Sequence, residues 1–453
     1  MYYVMYNVLL VLVSPIIFGL LLTKKRCQRG LWSRLGWIPV ELRRLRKPVI
    51  WIHAVSLGEV AAIVPLLRVM KERYPQWPLV VSTVTETGRE VVIKELEGVA
   101  LHCYAPVDFW WVVDRYVRIL QPHLFILVES EFWPNLLKNL QGHQVPICLV
   151  NGRISSRSFG RYLWVKGMMR RALNCIDLAL MQSAIDAERI RQLGAISESV
   201  HVTGNMKFDQ NFDQNTSADD QSSLRTTLKL ASNEVLIVAG STHPQEEECL
   251  LEAYRKVSAR HSQVVLLLAP RHIERASKLE QVIRHHGFPC VRRSESNKGF
   301  EDQAHTSGPR VILLDTRGEL PFVYREGCVT FVGGTLVPVG GHNLLEPARW
   351  SRPVMFGPYV DHCRHIASLL LEAGGGIQIQ NQEDLVFQII RLITHPSEAE
   401  CMGRKAFEVV QAHRGVIARN LQGIDRLLEK EYSSSLSLPP TGSTSVTSQE
   451  TLR

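Results

Sequence analysis

The sequence predicts an α/β protein built from two Rossmann-like domains. From Pro48 onward, short apolar runs rich in β-branched residues alternate with amphipathic stretches, which is typical of βαβ units around a parallel sheet. A chain of 453 residues also exceeds what one hydrophobic core usually supports, and its 45% hydrophobic residues leave ample apolar surface to bury. These observations predict two doubly wound domains of roughly 200 residues each.

Two series of candidate strands support this division. The first series comprises Val49–His53, Leu79–Thr83, Leu101–Tyr104, Leu124–Val128, Ile147–Val150 and Leu178–Met181. The second series comprises Val235–Ala239, Val264–Leu268, Val311–Leu314, Cys328–Val332, Val354–Phe356 and Ile377–Ile379. Each candidate strand is followed by a helix-like stretch, as in doubly wound domains.

The domain boundaries follow from changes in composition. Residues 209–223 are largely polar and cannot build a core, which indicates a linker. We therefore expect a first domain over residues 35–208 and a second over 224–431, with the ligand site in the cleft between them. Residues 432–453 are rich in Ser, Thr and Pro, which predicts a disordered tail.

Residues 1–23 predict an N-terminal membrane anchor helix. The apolar run from Met1 to Leu22, broken by Asn7, Ser14 and Pro15, is long enough to cross a hydrocarbon core of ~30 Å. Basic residues follow directly: Lys24, Lys25, Arg26, Arg29 and Arg34. By the positive-inside rule this order places the two domains in the cytoplasm, on the inner membrane. A buried core helix is the alternative.

The net charge narrows the classes of partner. A formal charge of +8 and a pI near 9.0 favour a nucleic acid, an anionic membrane surface or a phosphorylated substrate. No basic stripe with interleaved aromatic residues is present, so we expect no nucleic-acid partner. The nine cysteines form no C-x-x-C pair and no Cys/His cluster at zinc spacing, which predicts free thiols and no structural metal.

Glu59 is the first candidate for chemistry. Ser56 and Glu59 have the spacing of a capping box, so Glu59 could simply cap a helix. The helix nevertheless begins at the carboxyl end of a strand, where ligands bind in open α/β sheets, so the same carboxylate could be a general base. The spacing leaves both roles open.

A second carboxylate pair, Glu129 and Glu131, ends a later candidate strand. Alternate positions of an extended chain project to the same side, so the two side chains could act together. A helix start explains Glu131 almost as well, because Pro134 would then lie in the first turn. Glu129 is harder to explain in that way.

In the second domain, three strand-to-helix turns could hold an anion. Gly240 and Ser241 form a short turn, and Arg271 on the next turn could pair with a phosphate or, alternatively, form a surface ion pair. The strongest local signal lies between Phe331 and Glu346, where four glycines precede a His-Asn pair. Glycines let the backbone approach a phosphate or a sugar.

Five segments resemble the motif series of the Kdo (3-deoxy-D-manno-octulosonic acid) transferases. They are Ser56–Glu59, Glu129–Asn135, Gly204–Asp209, Ala269–His272 and Gly340–Glu346, in the family's order and spacing over about nine tenths of the chain. The resemblance implies a GT-B glycosyltransferase, preceded by a membrane anchor. It further implies transfer of Kdo from CMP-Kdo to the lipid A precursor (lipid IVA) in lipopolysaccharide core biosynthesis.

The resemblance also implies roles for individual residues. Glu59 would be the general base of an inverting transfer, with Glu129 and Lys207 as supporting catalytic residues. The positions that match the family's CMP-contacting segments are Pro270, Arg271, Gly318, Glu319, Leu320, Asn343, Leu344, Leu345 and Glu346. Arg317 departs from the smaller or apolar residue expected in the family. No Asp-x-Asp metal motif is present, so we expect a metal-independent reaction without cofactors.

Two alternatives of different kinds stay open at this point. One is a GT-B transferase that uses a UDP-sugar and another lipid or peptidoglycan acceptor, whose fold would be the same. The other is a membrane-bound module that binds anionic glycolipid without catalysis, which the basic N-terminal flank would support. The nucleotide that stabilises the protein, and the effect of Glu59→Ala, would distinguish them.

Overall fold

The architecture is seen in a computed structural model, which describes residues 2–23, 29–210, 224–295 and 308–436. The chain forms two compact units. One contains the residues up to Met206 together with those from Val416 onward, and the other is Lys207–Gly415. Each unit has a seven-stranded sheet in which all strand pairs are parallel. The predicted α/β class with two doubly wound sheets is confirmed.

The first sheet has the strand order β3-β2-β1-β4-β5-β6-β7. Its strands are β1 (Val49–His53), β2 (Leu79–Thr83), β3 (Ala100–Tyr104), β4 (Pro122–Val128), β5 (Ile147–Gly152), β6 (Leu178–Met181) and β7 (Val200–Val202). The accompanying helices are α1 (Tyr2–Thr23), α2 (Leu31–Arg34), α3 (Val40–Arg43), α4 (Leu57–Arg73), α5 (Glu86–Glu95), α6 (Trp110–Leu120), α7 (Pro134–Gly142), α8 (Ser156–Trp164), α9 (Lys166–Leu173) and α10 (Ala184–Gln192).

Both faces of the first sheet are covered, and strand periodicity explains how. Along β4, Phe125 and Leu127 pack into one hydrophobic core, whereas Ile126 and Val128 pack into the core on the opposite face. Successive side chains of a strand point to opposite faces, so a strand that is buried on both sides is apolar throughout. This is why Val49–Ile52 of β1 and Leu124–Val128 of β4 are continuous apolar runs.

The second sheet has the strand order β10-β11-β9-β8-β12-β13-β14. Its strands are β8 (Val235–Thr242), β9 (Val264–Pro270), β10 (Cys290–Arg292), β11 (Val311–Leu313), β12 (Gly327–Val332), β13 (Val354–Phe356) and β14 (Gly376–Gln378). Its helices are α11 (Glu246–Ser258), α12 (Ala276–His285), α13 (Leu320–Val323), α14 (Leu345–Ala348), α15 (Arg364–Glu372), α16 (Gln382–Thr394) and α17 (Pro396–Ala412).

The C-terminal helix α18 (Val416–Leu436) belongs to the first unit, whereas the sequence predicts a second domain that continues to residue 431. Its apolar side chains, including Val416, Ile424 and Leu428, join the core beside β1 and β4. Residues 432–436 of the predicted tail are helical, and residues 437–453 lie outside the described ranges. Most of the predicted linker, residues 211–223, also lies outside them.

The N-terminal helix predicted over residues 1–23 is present as α1, with Pro15 inside it. Of the helices in the described ranges, none has both the length and the apolar character needed to cross a membrane. Helix α1 makes polar contacts with its own unit. The hydroxyl of Tyr6 donates to Oδ2 of Asp108 at 2.9 Å, and the amides of Asn7 and Asn135 donate to one another at 2.8 and 3.0 Å.

The basic residues that follow α1 have varied surroundings. Lys24, Lys25 and Arg26 lie outside the described ranges, and Arg29 is exposed. Arg34 is buried, donates to the carbonyl of Val84 at 2.7 Å and lies over the ring of Tyr104. Part of the basic run therefore stabilises the fold of the first unit.

Candidate active site

Several predicted site residues follow strands at or next to the reversal of strand order in each sheet. In the first sheet, β1 lies between β2 and β4; in the second, β8 lies between β9 and β12. Ligands bind at the carboxyl ends of strands at such a reversal, because the flanking helices there leave a crevice. Glu59 follows β1 and Glu129 follows β4, whereas Arg271 follows β9.

Glu59 has the geometry of a capping box at the start of α4. The backbone N–H of Val55 donates to Oε2 at 2.8 Å, and the hydroxyl of Ser56 donates to Oε1 at 2.9 Å. In return, the N–H of Glu59 donates to Oγ of Ser56 at 3.4 Å. The structural role considered in the sequence analysis is therefore real.

The same carboxyl group has properties of a base. Glu59 is only 7% exposed, and burial, reinforced by the nearby charge of Glu129, raises its pKa to about 8. The hydrogen bonds from Val55 and Ser56 oppose this rise but do not cancel it. A carboxylate with a raised pKa is a stronger base once it is deprotonated. Capping and general-base catalysis are thus compatible at this position.

Glu129 lies just beyond β4 and has a left-handed backbone, with φ at 60°. The pair with Glu131 was predicted from alternation along an extended strand, but the strand ends at Val128, so that part of the reasoning was wrong. The two carboxylates are nevertheless close: burial raises the pKa of Glu131, and the charge of Glu129 adds to the rise. Left-handed backbone at a residue other than glycine is costly and is concentrated at functional sites.

Asp108 supports this carboxylate loop, and sequence reasoning did not find it. Its carboxylate accepts the N–H groups of Asn135 at 3.1 Å and Leu136 at 2.8 Å, which are orphan donors at the start of α7. Burial raises the pKa of Asp108 to about 7. Because Tyr6 donates to the same carboxylate, α1 is connected to the segment that carries Glu129 and Glu131.

In the second unit, the glycine-rich loop after β12 is held by Glu246, which the sequence analysis also missed. Its buried carboxylate accepts the backbone N–H groups of Gly334, Thr335 and Leu336 at 2.7–2.9 Å and that of His243 at 3.0 Å. The run of three glutamates at the start of α11 was a signal, but it does not reveal which of them points inward. Glu246 joins the loops after β8 and β12.

Arg271 extends from the end of β9, beside the buried Pro270. Its N–H donates to the carbonyl of Thr242 at 3.0 Å, which fixes the backbone. Among the residues that the structure describes, its exposed guanidinium has no ion-pair or hydrogen-bond partner. The surface ion pair considered as its alternative is therefore not seen among the described residues, and contact with a phosphate stays a prediction.

The predicted contacts at Gly318, Glu319 and Leu320 lie before and within α13. Gly318 has φ at 85°, and Glu319 pairs with Arg293 at 2.8 Å. Leu320 packs at the end of β8, where a Cβ on Gly240 would lie 2.9 Å from its Cδ1. Arg317, the departure from the family pattern, forms an exposed ion pair with Glu274 at 3.1 Å.

The segment Asn343–Glu346 combines buried and polar positions. Leu344 and Leu345 are fully buried, so their side chains belong to the core. Asn343 donates to Glu346 at 3.3 Å, and burial raises the pKa of Glu346 to about 7 while Asn343, Arg349, Arg271 and Lys207 oppose the rise. Lys207 is therefore near Glu346, on the side of the predicted nucleotide contacts.

Three histidines lie among these loops. Nε2 of His243 is 2.9 Å from Nε2 of His342, and the ring of His272 is 5.9 Å from that of His243. Within the described ranges, no group of three or more His, Cys, Asp or Glu side chains could hold a metal ion. The metal-independent reaction stays a prediction.

Comparison with known proteins identifies relatives along most of the chain. Residues 29–210 match the family model described as 3-deoxy-D-manno-octulosonic-acid transferase (kdotransferase). The 3-deoxy-D-manno-octulosonic acid transferase of Haemophilus influenzae is 33% identical over 84% of this chain and 87% of its own length. That of Chlamydia trachomatis serovar A is 32% identical over 76% of this chain and 78% of its own.

A solved structure with a similar fold is the UDP-GlcNAc 2-epimerase from Neisseria meningitidis bound to UDP-GlcNAc. It has a TM-score of 0.57 and 10% identity, covering 83% of this chain and all of that chain. At this identity the likeness concerns the fold alone, which is of the GT-B type. The resemblance recognised in the motifs is confirmed by the relatives at about one third identity over most of both chains, and this chain belongs to the 3-deoxy-D-manno-octulosonic acid (Kdo) transferase family of glycosyltransferases.

Proposed function

We propose that this protein transfers Kdo from CMP-Kdo to the lipid A precursor, lipid IVA, by an inverting and metal-independent reaction with Glu59 as the general base. The single observation that carries the proposal is the buried carboxyl of Glu59, which lies at the strand-order reversal with its pKa raised to about 8 beside Glu129. The relatives from Haemophilus influenzae and Chlamydia trachomatis are named as transferases of 3-deoxy-D-manno-octulosonic acid, which supports Kdo as the sugar that is transferred.

The chemistry follows from these groups. The carboxylate of Glu59 takes the proton of an acceptor hydroxyl as the hydroxyl oxygen bonds to the anomeric carbon, and the bond from that carbon to the phosphate oxygen of CMP breaks. Positive charge then develops on the sugar and negative charge on the leaving phosphate. Glu129 stabilises the positive charge on the sugar, whereas Arg271 and Lys207 stabilise the negative charge on the phosphate.

The nucleotide contacts in this proposal are divided between side chains and backbone. Arg271 pairs with the phosphate, since its guanidinium is exposed and has no partner among the described residues. Asn343 and Glu346 offer polar groups to the ribose or base. Because the side chains of Leu344 and Leu345 are fully buried, these two residues contact the nucleotide through their backbone groups.

The test is transfer to a tetraacylated lipid A precursor, with CMP-Kdo generated in place and the lipid product analysed by mass spectrometry. The wild type should add the mass of one or more Kdo units, and Glu59→Gln should add none. Glu72→Gln is the matched control, because Glu72 is exposed on the same helix, α4. No mass gain with folded wild-type protein would contradict the proposal and favour a UDP-sugar donor.

The proposal includes association with the inner membrane through α1, without requiring a helix that crosses it. Apolar side chains of α1 such as Val4 and Leu12 are 66% and 71% exposed, and Trp110 and Trp111 line an open groove of about 790 Å³ beside them. Tryptophan favours the membrane–water interface, where its amphipathic ring is partly solvated.

Flotation with vesicles of anionic phospholipid tests this association. The wild type should float with the vesicles, and the double variant Trp110→Ser, Trp111→Ser should remain largely in the soluble fraction. Phe387→Ser removes an exposed aromatic side chain of the second unit and serves as the control. Equal flotation of the Trp variant and the wild type would contradict a role for this surface.

A further inference from the structure

His243 and His342 meet in the second unit through the ring nitrogens farthest from the backbone. Their Nε2 atoms are 2.9 Å apart, and the ring planes are within 6° of parallel. His243 follows β8 and His342 lies in the loop after β12, so the contact belongs to the strand-order reversal of the second sheet. Gly334 makes room for it, because a Cβ there would lie 2.9 Å from Nε2 of His342.

The hydrogen bond restricts how many protons the pair can hold. One ring donates its Nε2–H and the other must be unprotonated at Nε2, so the two rings together hold at most one positive charge. Neither Nδ1 atom has a hydrogen-bond partner among the described residues. A neutral pair therefore presents one Nδ1–H donor to a ligand, and a singly protonated pair presents two.

The surroundings keep the pair neutral when no anion is present. Burial lowers the pKa of both rings, to about 3 for His342. The groups facing the rings lower it further: Arg271, Arg275 and His272 around His243, and Arg271, His272 and His362 around His342.

The neighbouring carboxylates do not offset these charges. Glu246 accepts four backbone N–H groups, and Glu247 forms an ion pair with Arg275 at 2.8 Å and accepts the hydroxyl of Thr242. The negative charge that would stabilise a protonated pair must therefore come from a ligand.

We propose that His243 and His342 form one subsite for the phosphate of the nucleotide and take up a proton when that phosphate binds. The inference rests on the proposed function, which supplies the cytidine nucleotide. The phosphate charge allows the second Nδ1 to become protonated, so both rings donate to phosphate oxygens. As the bond from the sugar to CMP breaks, the negative charge on the leaving phosphate grows and both hydrogen bonds strengthen.

Isothermal titration calorimetry with CMP as the probe measures the proton directly. The full chain is titrated at pH 7.5 in Hepes and in Tris, whose different ionisation enthalpies reveal the protons exchanged on binding. The wild type should take up a substantial fraction of a proton with CMP and none with cytidine, which lacks the phosphate. His342→Gln keeps an amide near Nε2 but cannot be protonated, so it should lose the uptake and bind CMP roughly tenfold more weakly.

Two comparisons separate this role from a purely structural one. His243→Gln should lose the same proton, and the double variant should be little worse than either single variant, because the two rings act as a unit. His285→Gln, at an exposed histidine of the same unit on α12, should behave as wild type. Thermal melting confirms that each variant is folded.

The outcomes distinguish this inference from the proposed function. CMP binding by the wild type without proton uptake, or the same uptake in His342→Gln, overturns the phosphate subsite and leaves the transfer proposal standing. Binding of UMP rather than CMP, with uptake that depends on the pair, overturns the donor and supports the subsite. If neither nucleotide binds, both are overturned.

Discussion

Replacing Glu59 by glutamine should stabilise the protein at high pH while abolishing transfer. Burial and Glu129 raise the pKa of Glu59 from 4.5 to about 8. Below pH 4.5 both the folded and unfolded states are protonated at this group, and the group costs nothing. Between pH 4.5 and 8 the unfolded state releases the proton while the folded state retains it, so the free energy of unfolding falls progressively. The decrease due to this group is complete above pH 8, where both states are deprotonated.

The size of the effect follows from the same shift. A rise from 4.5 to about 8, at ~1.36 kcal/mol for each pH unit, amounts to about 5 kcal/mol. Glutamine keeps an oxygen for the N–H of Val55 but carries no charge to desolvate. Glu59→Gln should therefore gain up to about this free energy of unfolding at pH 9 and little at pH 5.

Urea unfolding followed by tryptophan fluorescence suits this measurement. Eight of the nine tryptophans belong to the first unit, all except Trp350, so the signal reports mainly the unit that contains Glu59. The exposed Glu72→Gln should show no pH-dependent difference from wild type. A Glu59→Gln variant that is no more stable than wild type at pH 9 would refute the reasoning, since the buried carboxyl would then carry no desolvation cost.

Three further predictions concern individual residues. Glu129→Gln removes a charge that raises the pKa of Glu59, so the rising limb of kcat/KM against pH should move to lower pH; an unmoved limb would contradict the coupling. Arg271→Lys loses the planar fork suited to phosphate and should weaken CMP binding at least roughly tenfold by calorimetry, whereas unchanged affinity would remove Arg271 from the site. Gly334→Ala introduces a Cβ at φ +69° and 2.9 Å from Nε2 of His342, so it should lower the free energy of unfolding by about 1–3 kcal/mol and abolish the CMP-linked proton uptake. A melting temperature and a proton count equal to those of wild type would contradict this prediction.

Hydrophobic patterning predicted most of the fold because the central strands are buried on both faces. β1, β4, β8 and β9 are fully or nearly fully apolar, so their bounds were found to within a few residues. The short strands β7 and β10 were not predicted: each has three residues, and those of β10 are only partly buried. Length alone is not the reason, because β11 and β13 also have three residues and were predicted. Those two strands are buried throughout and apolar, whereas β7 has two exposed residues and β10 includes Arg292.

The site could be predicted where the interacting residues are close in sequence, and not where they are distant in sequence. Ser56 and Glu59 are three positions apart, so their capping geometry could be anticipated. Asn7 and Asn135 are 128 positions apart, and nothing in either segment indicates the other. Glu246 is one of three consecutive glutamates, and only the loop it binds distinguishes it. The left-handed backbone of Glu129 likewise depends on tertiary packing.

The return of α18 to the first unit makes the second unit an insertion within the first. The chain enters the second unit once, at Lys207, and leaves it once, at Gly415, so that unit is one contiguous stretch of sequence. The first unit, in contrast, is made of two separate stretches of sequence, one up to Met206 and one from Val416. A fragment that stops at Met206 would expose the surface that Val416, Ile424 and Leu428 cover, and would be expected to aggregate unless α18 were supplied as a peptide or joined by a short designed connection.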